Sequence, residues 1–516
     1  MTASAFTAKN FESPGIQRLC DVVMKGGVTS GVVYPTAICQ LASSYVIKNI
    51  GGTSVGAIAA AVTAAAEYRR RNSGSGEGYA QLSKLPQFLG RQGALLALFA
   101  PDPLARTLFR IAMIPLGDAP MWRKLLRLLA TLLASYVWIP LLTIALMFAV
   151  FAAVASPVPP SHLWRCFTAS VVFGLIAAFV GIAIRFVYHF VAVLDANAFG
   201  WCHGYRDQDR WPGDESVDAT QIAAKDVPPL FNWLEAFIAQ TAGTPRSRPL
   251  TFGDLWNAPQ PSWHDASPGE RCVDFRMMTT CVTLGRPFQL PFDADETIGA
   301  TPDPATDRDA DGAPRPSLYF LEHDVARYFS GDVVSHMKTW GAPCGVTQND
   351  GKIYWRFPAA ANVPIIVATR MSMSFPILFC AFPLYALDDN GTMQVLWFSD
   401  GGLSSNFPIH FFDSPLPRWP TFAIDLLPGP PQDADAPATI NARYDAGSVF
   451  MEIDVPRSAV NPWNRLSCGS ARGNALAFGS ALLDAMRNWQ DVTLGTLPGN
   501  ASRIVGIRLS PQQGGL

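Results

Sequence analysis

The alternation of apolar and polar positions divides this chain into short strand-like and helix-like stretches and two much longer apolar runs. Cys20–Met24 is a short apolar run that leads into a glycine-rich loop, and Val32–Tyr45 reads as a helix. Val46–Ile50 is partly β-branched, which favours a strand, and it precedes an alanine-rich helix predicted over Ala57–Arg71. This order of elements predicts an α/β unit with a mainly parallel central sheet.

The second half of the chain continues the same pattern. Val363–Ala368 and Val395–Ser399 are strand-like runs, and Arg503–Leu509 predicts a final strand after a helix over Gly473–Trp489. Pro428–Ala438 is rich in Pro, Asp and Ala, which is typical of a linker.

Two long apolar runs interrupt this pattern. Leu128–Val154 contains no charged residue, and a helix of that length would span ~40 Å, more than the ~30 Å hydrocarbon core of a bilayer. Pro140 predicts a kink in it. A short proline-rich link separates it from Cys166–Ile184, nineteen uncharged residues and the usual spanning length. The two runs predict a transmembrane helical hairpin; a buried helix pair in a soluble core is the alternative, although such helices usually carry a polar face.

The charges that flank the hairpin predict its orientation. Basic residues lie on both outer flanks: Arg106, Arg110, Arg123, Lys124 and Arg127 before it, and Arg185, Arg206 and Arg210 at its end or after it. The positive-inside rule then places both flanks in the cytoplasm, as in a multi-pass protein of the inner membrane. Phe99–Arg127 mixes apolar and basic residues, which fits either an interfacial segment or an ordinary amphipathic helix.

Composition agrees with a membrane protein of more than one part. Charged residues make up 16% of the 516 positions, below the ~25% of an ordinary soluble domain. A net charge of −2 gives no sign of nucleic-acid binding. The nine cysteines form no C-x-x-C pair, so neither a zinc site nor a disulfide framework is indicated. We expect four segments: a catalytic domain over 18–100 and 205–430, the membrane segment 101–204 between its halves, and a C-terminal segment 431–516.

A candidate nucleophile lies in the motif Gly52-Thr53-Ser54-Val55-Gly56, between a predicted strand and a predicted helix. A serine on such a turn is exposed for attack, and the helix N-terminus favours negative charge beside it. Gly26 and Gly27, in the loop after the first strand, are candidate backbone donors to an oxyanion. That loop is not a Walker A motif, because valines follow Gly31 where Lys and Ser or Thr are required.

A candidate base lies some 350 residues later, in Asp400-Gly401-Gly402 at the end of a predicted strand. Alone, this motif is usually just a turn. It becomes a candidate because a serine nucleophile needs a base, and none of the seven histidines lies in a recognisable catalytic setting. A triad with His410 stays open as an alternative, although ten residues is short for the usual Asp-to-His spacing.

Four blocks together resemble the patatin-like phospholipases, a family of serine lipid acyl hydrolases. They are Lys25–Gly31, Gly52–Gly56, the S-M-S-F-P stretch Ser372–Pro376, and Asp400–Gly402 with Asn406 and Pro408. The resemblance implies a three-layer α/β fold, interrupted here by the transmembrane hairpin. It implies Ser54 as nucleophile, Asp400 as general base and the backbone of Gly26, Gly27 and Val28 as oxyanion hole, with no metal or cofactor. The glycine loop departs from the family pattern: Lys25 replaces an acid, Val28 a glycine and Ser30 a basic residue.

The sequence therefore predicts a membrane-anchored serine esterase of the phospholipase A type, which cleaves carboxylic esters of lipids through an acyl-enzyme. Its substrate would be a membrane lipid and its surroundings the bilayer. The alternatives are a non-catalytic membrane protein that binds lipid or a partner on an inactive patatin fold, and a membrane serine protease or general esterase.

Overall fold

The contacts within the chain divide it into two compact units. One comprises residues 1–100 and 203–515, and the other comprises residues 101–202. The computed structural model describes residues 6–12, 16–27, 30–115, 119–155, 159, 162–207, 217–292, 298, 317–343, 351–414, 416–427, 449–451, 478, 491–495, 497 and 499–508.

The strands and helices follow one another along the whole described chain. The strands are β1 (Leu19–Met24), β2 (Val46–Gly52), β3 (Gly200–Cys202), β4 (Asp274–Cys281), β5 (Arg286–Leu290), β6 (Tyr319–Leu321), β7 (Tyr354–Arg356), β8 (Ile377–Phe379), β9 (Phe382–Leu387), β10 (Met393–Asp400), β11 (Thr421–Leu427), β12 (Val449–Met451) and β13 (Ile504–Arg508). The helices are α1 (Ser30–Ala42), α2 (Val55–Ser73), α3 (Glu77–Leu82), α4 (Leu85–Leu89), α5 (Ala94–Leu98), α6 (Arg106–Met113), α7 (Met121–Ser135), α8 (Trp138–Ala155), α9 (Leu163–Ala196), α10 (Leu230–Ala242), α11 (Phe252–Trp256), α12 (Glu322–Val325), α13 (Gly331–Trp340) and α14 (Ile365–Ser372).

A large mixed sheet forms the centre of the first unit, as the predicted α/β class requires. Its strand order is β12-β13-β11-β1-β2-β4-β10-β9-β6-β7, and β5 also pairs with β4. The strands β13, β11, β1, β2 and β4 run parallel to one another, and all six residues of β1 are buried, which is typical of a parallel strand covered on both faces. The expected parallel sheet is therefore confirmed for this central part only.

The strand that carries Asp400 runs the other way. β10 pairs with β4 in the antiparallel sense, and Asp400 lies opposite Thr279. Because β2 is parallel to β4, with Gly52 opposite Met277, the ends of β2 and β10 approach each other from opposite directions. The carboxyl ends of β2 and β10, which carry the two predicted motifs, therefore lie beside the same part of β4, opposite Met277 and Thr279.

One further element differs from the sequence expectation, and another extends it. Val363–Ala368, predicted as a strand, lies mostly within helix α14, whose eight residues are all buried. A short apolar run that is buried all round does not reveal by periodicity whether it is a strand or a helix. The C-terminal segment 431–516, for which the sequence gives no role, supplies β12 and β13 to the main sheet, and β13, within the strand predicted over Arg503–Leu509, is parallel to β11. Most of the predicted helix Gly473–Trp489 lies outside the described residues.

A buried ionic cluster fixes α2 in the first unit. Glu67 accepts hydrogen bonds from Arg70 and from the Tyr79 hydroxyl, both at 2.5 Å, and from Arg71 at 2.6 Å. Tyr79 belongs to α3, so this cluster joins the two helices. Removing one partner of a buried ion pair typically costs ~3–5 kcal/mol, so the cluster holds α2, and the turn before it, in one position.

The second unit does not contain the single helix expected over Leu128–Val154. That run is split between α7 and α8, whose axes are bent by 78° at the break. Pro140 is the physical reason, because a proline has no N–H to give to the carbonyl four residues earlier, which here is Tyr136. The Tyr136 carbonyl instead accepts from the N–H of Ile139 at 2.9 Å.

Helix α9 is longer than the predicted span Cys166–Ile184. It runs unbroken for 34 residues and is apolar and long enough to cross a membrane. It packs on α8 through glycines: a Cβ at Gly181 would lie 2.9 Å from Ile139 Cγ2, and a Cβ at Gly174 would lie 3.3 Å from Met147. Small residues at such positions allow apolar helices to approach closely.

Candidate active site

Ser54 lies on a sharp turn between β2 and α2. It is the residue directly before α2, with φ 56° and ψ −128°. A positive φ at a residue other than glycine costs of order 1–3 kcal/mol and persists only where the surroundings enforce it. A Cβ at Gly52 would overlap Gly56, and one at Gly56 would overlap the carbonyl of Met24, so both glycines of the motif are required by space. This is the geometry of a nucleophile elbow.

The S-M-S-F-P stretch lies against Ser54. The Ser54 N–H donates to Ser372 Oγ at 3.3 Å, and the Ser54 hydroxyl donates to Met373 Sδ at 3.8 Å. Ser54 is 7% exposed. The stretch therefore lines one side of the serine, a role that its sequence alone does not reveal.

The same stretch also holds Asp400. The Asp400 N–H donates to the Ser374 carbonyl at 2.9 Å, and its Oδ1 accepts from the Gly402 N–H at 2.7 Å. The Ser399 hydroxyl donates to the Ser374 carbonyl at 2.9 Å as well. Three consecutive residues, 372–374, thus contact both predicted members of the dyad.

Glycine contacts show how closely the two motifs pack. A Cβ at Gly401 would lie 2.8 Å from Thr53 Cγ2, the residue before Ser54. A Cβ at Gly402 would lie 2.8 Å from Asp400 Oδ1 and 2.8 Å from Asn406 Oδ1. The structure therefore brings the elbow and the Asp-Gly-Gly turn together.

Asn406 joins the glycine loop to this cluster. The Gly26 N–H donates to the Asn406 carbonyl at 2.9 Å, and Asn406 Nδ2 donates back to the Gly26 carbonyl at 3.1 Å. A Cβ at Gly26 would overlap Asn406 Oδ1 and lie 3.0 Å from Ser54 Cβ. Gly26 is needed because a side chain does not fit beside the serine.

One of the predicted oxyanion donors has a partner in this structure. The Gly26 N–H donates to the Asn406 carbonyl, so an oxyanion would have to compete with that bond. At Gly27 an added Cβ would meet no atom of the described residues within 4 Å. Val28, the third predicted donor, lies outside the described residues.

Lys25, which departs from the family pattern, has an acidic partner on the neighbouring strand. Its Nζ lies 2.8 Å from Asp425 Oδ2, and Asp425 belongs to β11. The Tyr34 hydroxyl donates to the Lys25 carbonyl at 2.6 Å. The base of the glycine loop is thereby tied both to the sheet and to α1.

Two charged residues that were not predicted from the sequence bind residues next to Ser54 and Asp400. Asp491 accepts from the Ser405 hydroxyl at 3.1 Å and from the Asn406 N–H at 2.9 Å, and burial raises the pKa of Asp491. Arg370 is fully buried and donates to Ser374 Oγ at 2.6 Å and to the Cys380 carbonyl at 2.8 Å. Asp491 belongs to no motif, but Arg370 gave a signal: it is a charged residue inside an apolar run, two positions before Ser372.

The alternative base, His410, lies in the 3-10 helix Ile409–Phe412. Burial lowers the pKa of His410, and the acids that act on that pKa are Asp413 and Asp491. Its ring centroid lies 5.3 Å from that of Phe411. His410 is half-buried, and among the described residues these contacts include neither Ser54 nor Asp400.

Comparison with known proteins gives the chain a relative. No family model matches it. It is 32% identical over 557 residues to a protein of Rhizobium meliloti (strain 1021) named RpoH suppressor, in an alignment that covers 97% of this chain and 79% of the relative. The chain belongs to the family of that protein. Among solved structures, VipD from Legionella pneumophila shows 12% identity and a TM-score of 0.29 over 90% of this chain and 67% of VipD, a likeness too weak to inform fold or function.

Proposed function

We propose that this protein is a membrane-anchored serine lipid acyl hydrolase of the patatin-like type, which degrades lipids by cleaving their carboxylic esters. The observation that carries the proposal is the backbone of Ser54, held at φ 56° on the turn between β2 and α2. A strained serine at this position is expected of a nucleophile and serves no evident purpose in stability. The contacts of residues 372–374 with both Ser54 and Asp400 support a dyad.

The reaction follows from these two side chains. Ser54 Oγ attacks the ester carbonyl carbon while its proton passes to the Asp400 carboxylate, giving a tetrahedral oxyanion. The bond to the leaving oxygen breaks, and that oxygen takes the proton from Asp400, which leaves the acyl group on Ser54. Water then attacks the acyl-enzyme, giving one proton to Asp400. The fatty acid departs as Ser54 Oγ takes that proton back.

Backbone dipoles would stabilise the oxyanion. The N-terminus of α2 begins at Val55, directly after Ser54, and carries a partial positive charge. The backbone N–H groups of Gly27 and Val28 stay the predicted oxyanion donors of the loop. Gly26 contributes because its lack of a side chain leaves room for Ser54 and Asn406.

The segment 101–202 would supply the membrane anchor. α9 satisfies the length and apolarity of a membrane span, and α8 is uncharged over its eighteen residues. We expect α8 and α9 to cross the inner membrane as a pair, with both flanks in the cytoplasm as the basic residues predict. A cysteine introduced within residues 157–161 should then react with a membrane-impermeant reagent from the outer side only; labelling from the cytoplasmic side alone would reverse the orientation.

The deciding experiment uses the full-length protein in lipid vesicles. We expect fatty acid release from wild type, and a loss of at least ~10³-fold in Ser54→Ala and in Asp400→Asn, because the nucleophile and its base act as a unit. Ser44→Ala and Asp389→Asn change the same residue types at exposed positions and serve as matched controls.

The other outcomes identify the alternatives. Lipid binding without any release from wild type would support a non-catalytic protein on an inactive fold, which the altered glycine loop favours. Cleavage of peptides with inert lipids would indicate a protease. Full activity in Ser54→Ala would contradict the proposed nucleophile.

A further inference from the structure

The helix α7 presents an apolar face that is largely exposed in the described structure. None of its residues is buried. Six of its large apolar side chains have exposed fractions between 38% at Leu133 and 72% at Met121, and Leu128 and Leu132 are half-buried. At 100° per residue, all eight fall on one side of the helix: Met121, Trp122, Leu125, Leu126, Leu128, Leu129, Leu132 and Leu133.

The opposite side of α7 is basic. Arg123, Lys124 and Arg127 lie there, and Lys124 donates to the carbonyl of Pro115 at 2.7 Å. No Asp or Glu occurs between residues 119 and 194, where the sequence has five Lys and Arg residues, three of them on α7. A largely exposed helix with one apolar and one basic face has the pattern of a helix in a membrane interface.

The bend between α7 and α8 determines how α7 is oriented relative to the membrane plane. α8 has eighteen residues, or about 27 Å at 1.5 Å per residue, close to the ~30 Å hydrocarbon thickness. Since α7 is bent from α8 by 78°, a crossing α8 leaves α7 nearly parallel to the membrane plane.

A contact with α9 indicates where the bend between α7 and α8 lies relative to the membrane. The Tyr136 hydroxyl, at the break, lies 2.8 Å from His189 Nδ1. His189 is one turn beyond Arg185, the residue that ends the uncharged run of α9. The break therefore lies at the level where α9 leaves the hydrocarbon.

We infer that α7 lies in the interface of an anionic leaflet, with its apolar face among the acyl chains and with Arg123 and Arg127 at the level of the phosphates. This rests on the membrane anchor of the proposed function. The partner is a bilayer that contains anionic phospholipid, because the basic face lacks acidic neighbours along the chain. A second copy of the chain on the same face is the rival occupant.

The first test measures which face of α7 meets lipid. An environment-sensitive fluorescent amino acid is placed at Leu125 in the full-length protein and, as a matched control, at Ala134, nine residues later and on the opposite face. Both positions are exposed. In vesicles of phosphatidylglycerol and phosphatidylcholine with brominated acyl chains, we expect quenching at position 125 to be several-fold stronger than at 134.

The outcomes separate this inference from the proposed anchor. Equal quenching at the two positions in a chain that resists alkaline extraction would overturn the inference and leave the anchor standing. Extraction of the chain by alkali would overturn the anchor itself. A shielded probe at 125 that bromine does not quench, and that becomes exposed on dilution, would indicate the second copy instead of lipid.

The second test measures headgroup preference. Bromine is placed either on phosphatidylglycerol or on phosphatidylcholine in the same mixture, so that the ratio of quenching at position 125 reports local lipid enrichment. Each basic side chain near an anionic surface contributes ~1 kcal/mol, or roughly fivefold, so we expect a ratio well above one that falls severalfold, toward one, in Arg123→Gln/Arg127→Gln. Arg165→Gln, at the other end of α9, should leave it unchanged. A ratio that survives the double substitution would overturn the assignment of the basic face.

Discussion

The two ends of the parallel strands β11, β1, β2 and β4 differ in the contacts that surround Ser54 and Lys48. At the carboxyl ends of β1 and β2, close glycine contacts and neutral hydrogen bonds keep Ser54 in a strained backbone. At the amino ends, charged side chains neutralise one another. Lys48, 3% exposed, lies 2.9 Å from Glu270, which also contacts His264 Nε2 at 2.9 Å.

The pKa values of two acidic side chains at the amino ends shift in opposite directions. Burial would raise the pKa of Glu270, but hydrogen bonds from His264 and Lys48 lower it to about 2. Asp21 is different, because burial raises its pKa to about 7 even though Trp419 Nε1 donates to it at 2.6 Å. We therefore expect substitutions among the amino-end charges to change stability, and substitutions around the strained turn of Ser54 to change activity.

The largest expected effect concerns Asp21 and stability. Its pKa in the folded protein is raised from the ordinary value of 3.8 to about 7, so folding takes up a proton between these pH values. The free energy of unfolding should accordingly fall as the pH rises from about 4 to 7 and stay level above, by up to ~4 kcal/mol at ~1.4 kcal/mol per pKa unit. Asp21→Asn should remove that part of the slope in denaturant unfolding, while lipid hydrolysis stays as in wild type.

Asp389→Asn, an exposed substitution of the same type, controls for the loss of one charge. Desolvation also raises the pKa of Glu235 to about 7, so the informative quantity is the difference in slope between wild type and Asp21→Asn. Equal slopes in the two proteins would contradict the role of Asp21. A loss of activity in Asp21→Asn would end the contrast between the two ends of the sheet.

The next effect concerns Gly26 and activity. In Gly26→Ala the new Cβ meets Asn406 and lies 3.0 Å from Ser54 Cβ, so the serine must shift. A misplacement of about 1 Å can cost ~10²-fold in rate, and we expect kcat to fall by about that factor in the vesicle assay. In the control Gly31→Ala, the new Cβ makes an ordinary contact of 3.5 Å with Leu89. Equal activities of the two variants would show that the packing beside Ser54 does not position it.

The smallest effect concerns the strain at Ser54. Glycine adopts a positive φ without strain, whereas Ala keeps the strain of Ser. Ser54→Gly should therefore be more stable than Ser54→Ala by about 1 kcal/mol in denaturant unfolding, after the entropy cost of glycine is subtracted from the 1–3 kcal/mol of strain. Both variants should be inactive. A Ser54→Gly protein no more stable than Ser54→Ala would mean that the turn is not strained.

The parts of the fold that depend on neighbouring residues could be predicted from sequence. The strand predicted over Val46–Ile50 and the helix predicted over Ala57–Arg71 correspond to β2 and α2, because glycines and an alanine-rich run mark the turn locally. The mixed α/β class follows from this order of elements and is confirmed. The break at Tyr136 was expected as a kink, but its angle of 78° depends on packing.

The parts that depend on distant pairing could not be predicted. The antiparallel direction of β10 is set by its pairing with β4 and β9, and no local pattern records it. Asp491 supports Asn406 across 85 positions of the chain, and the bond of Gly26 to Asn406 spans 380. The roles of Ser54, Asp400 and the loop donors stay predictions that the vesicle assay decides.

The parallel pairing of β1 with β11 has a consequence for synthesis. Thr421 follows Asp21 by 400 positions, so at ~5–20 residues per second the ribosome needs roughly 20–80 s to deliver the missing neighbour. During that interval the apolar helices of 101–202 emerge first and are available to the translocation machinery. One edge of β1 has no partner strand meanwhile, and we expect slower translation before β11 to increase aggregation of the nascent chain.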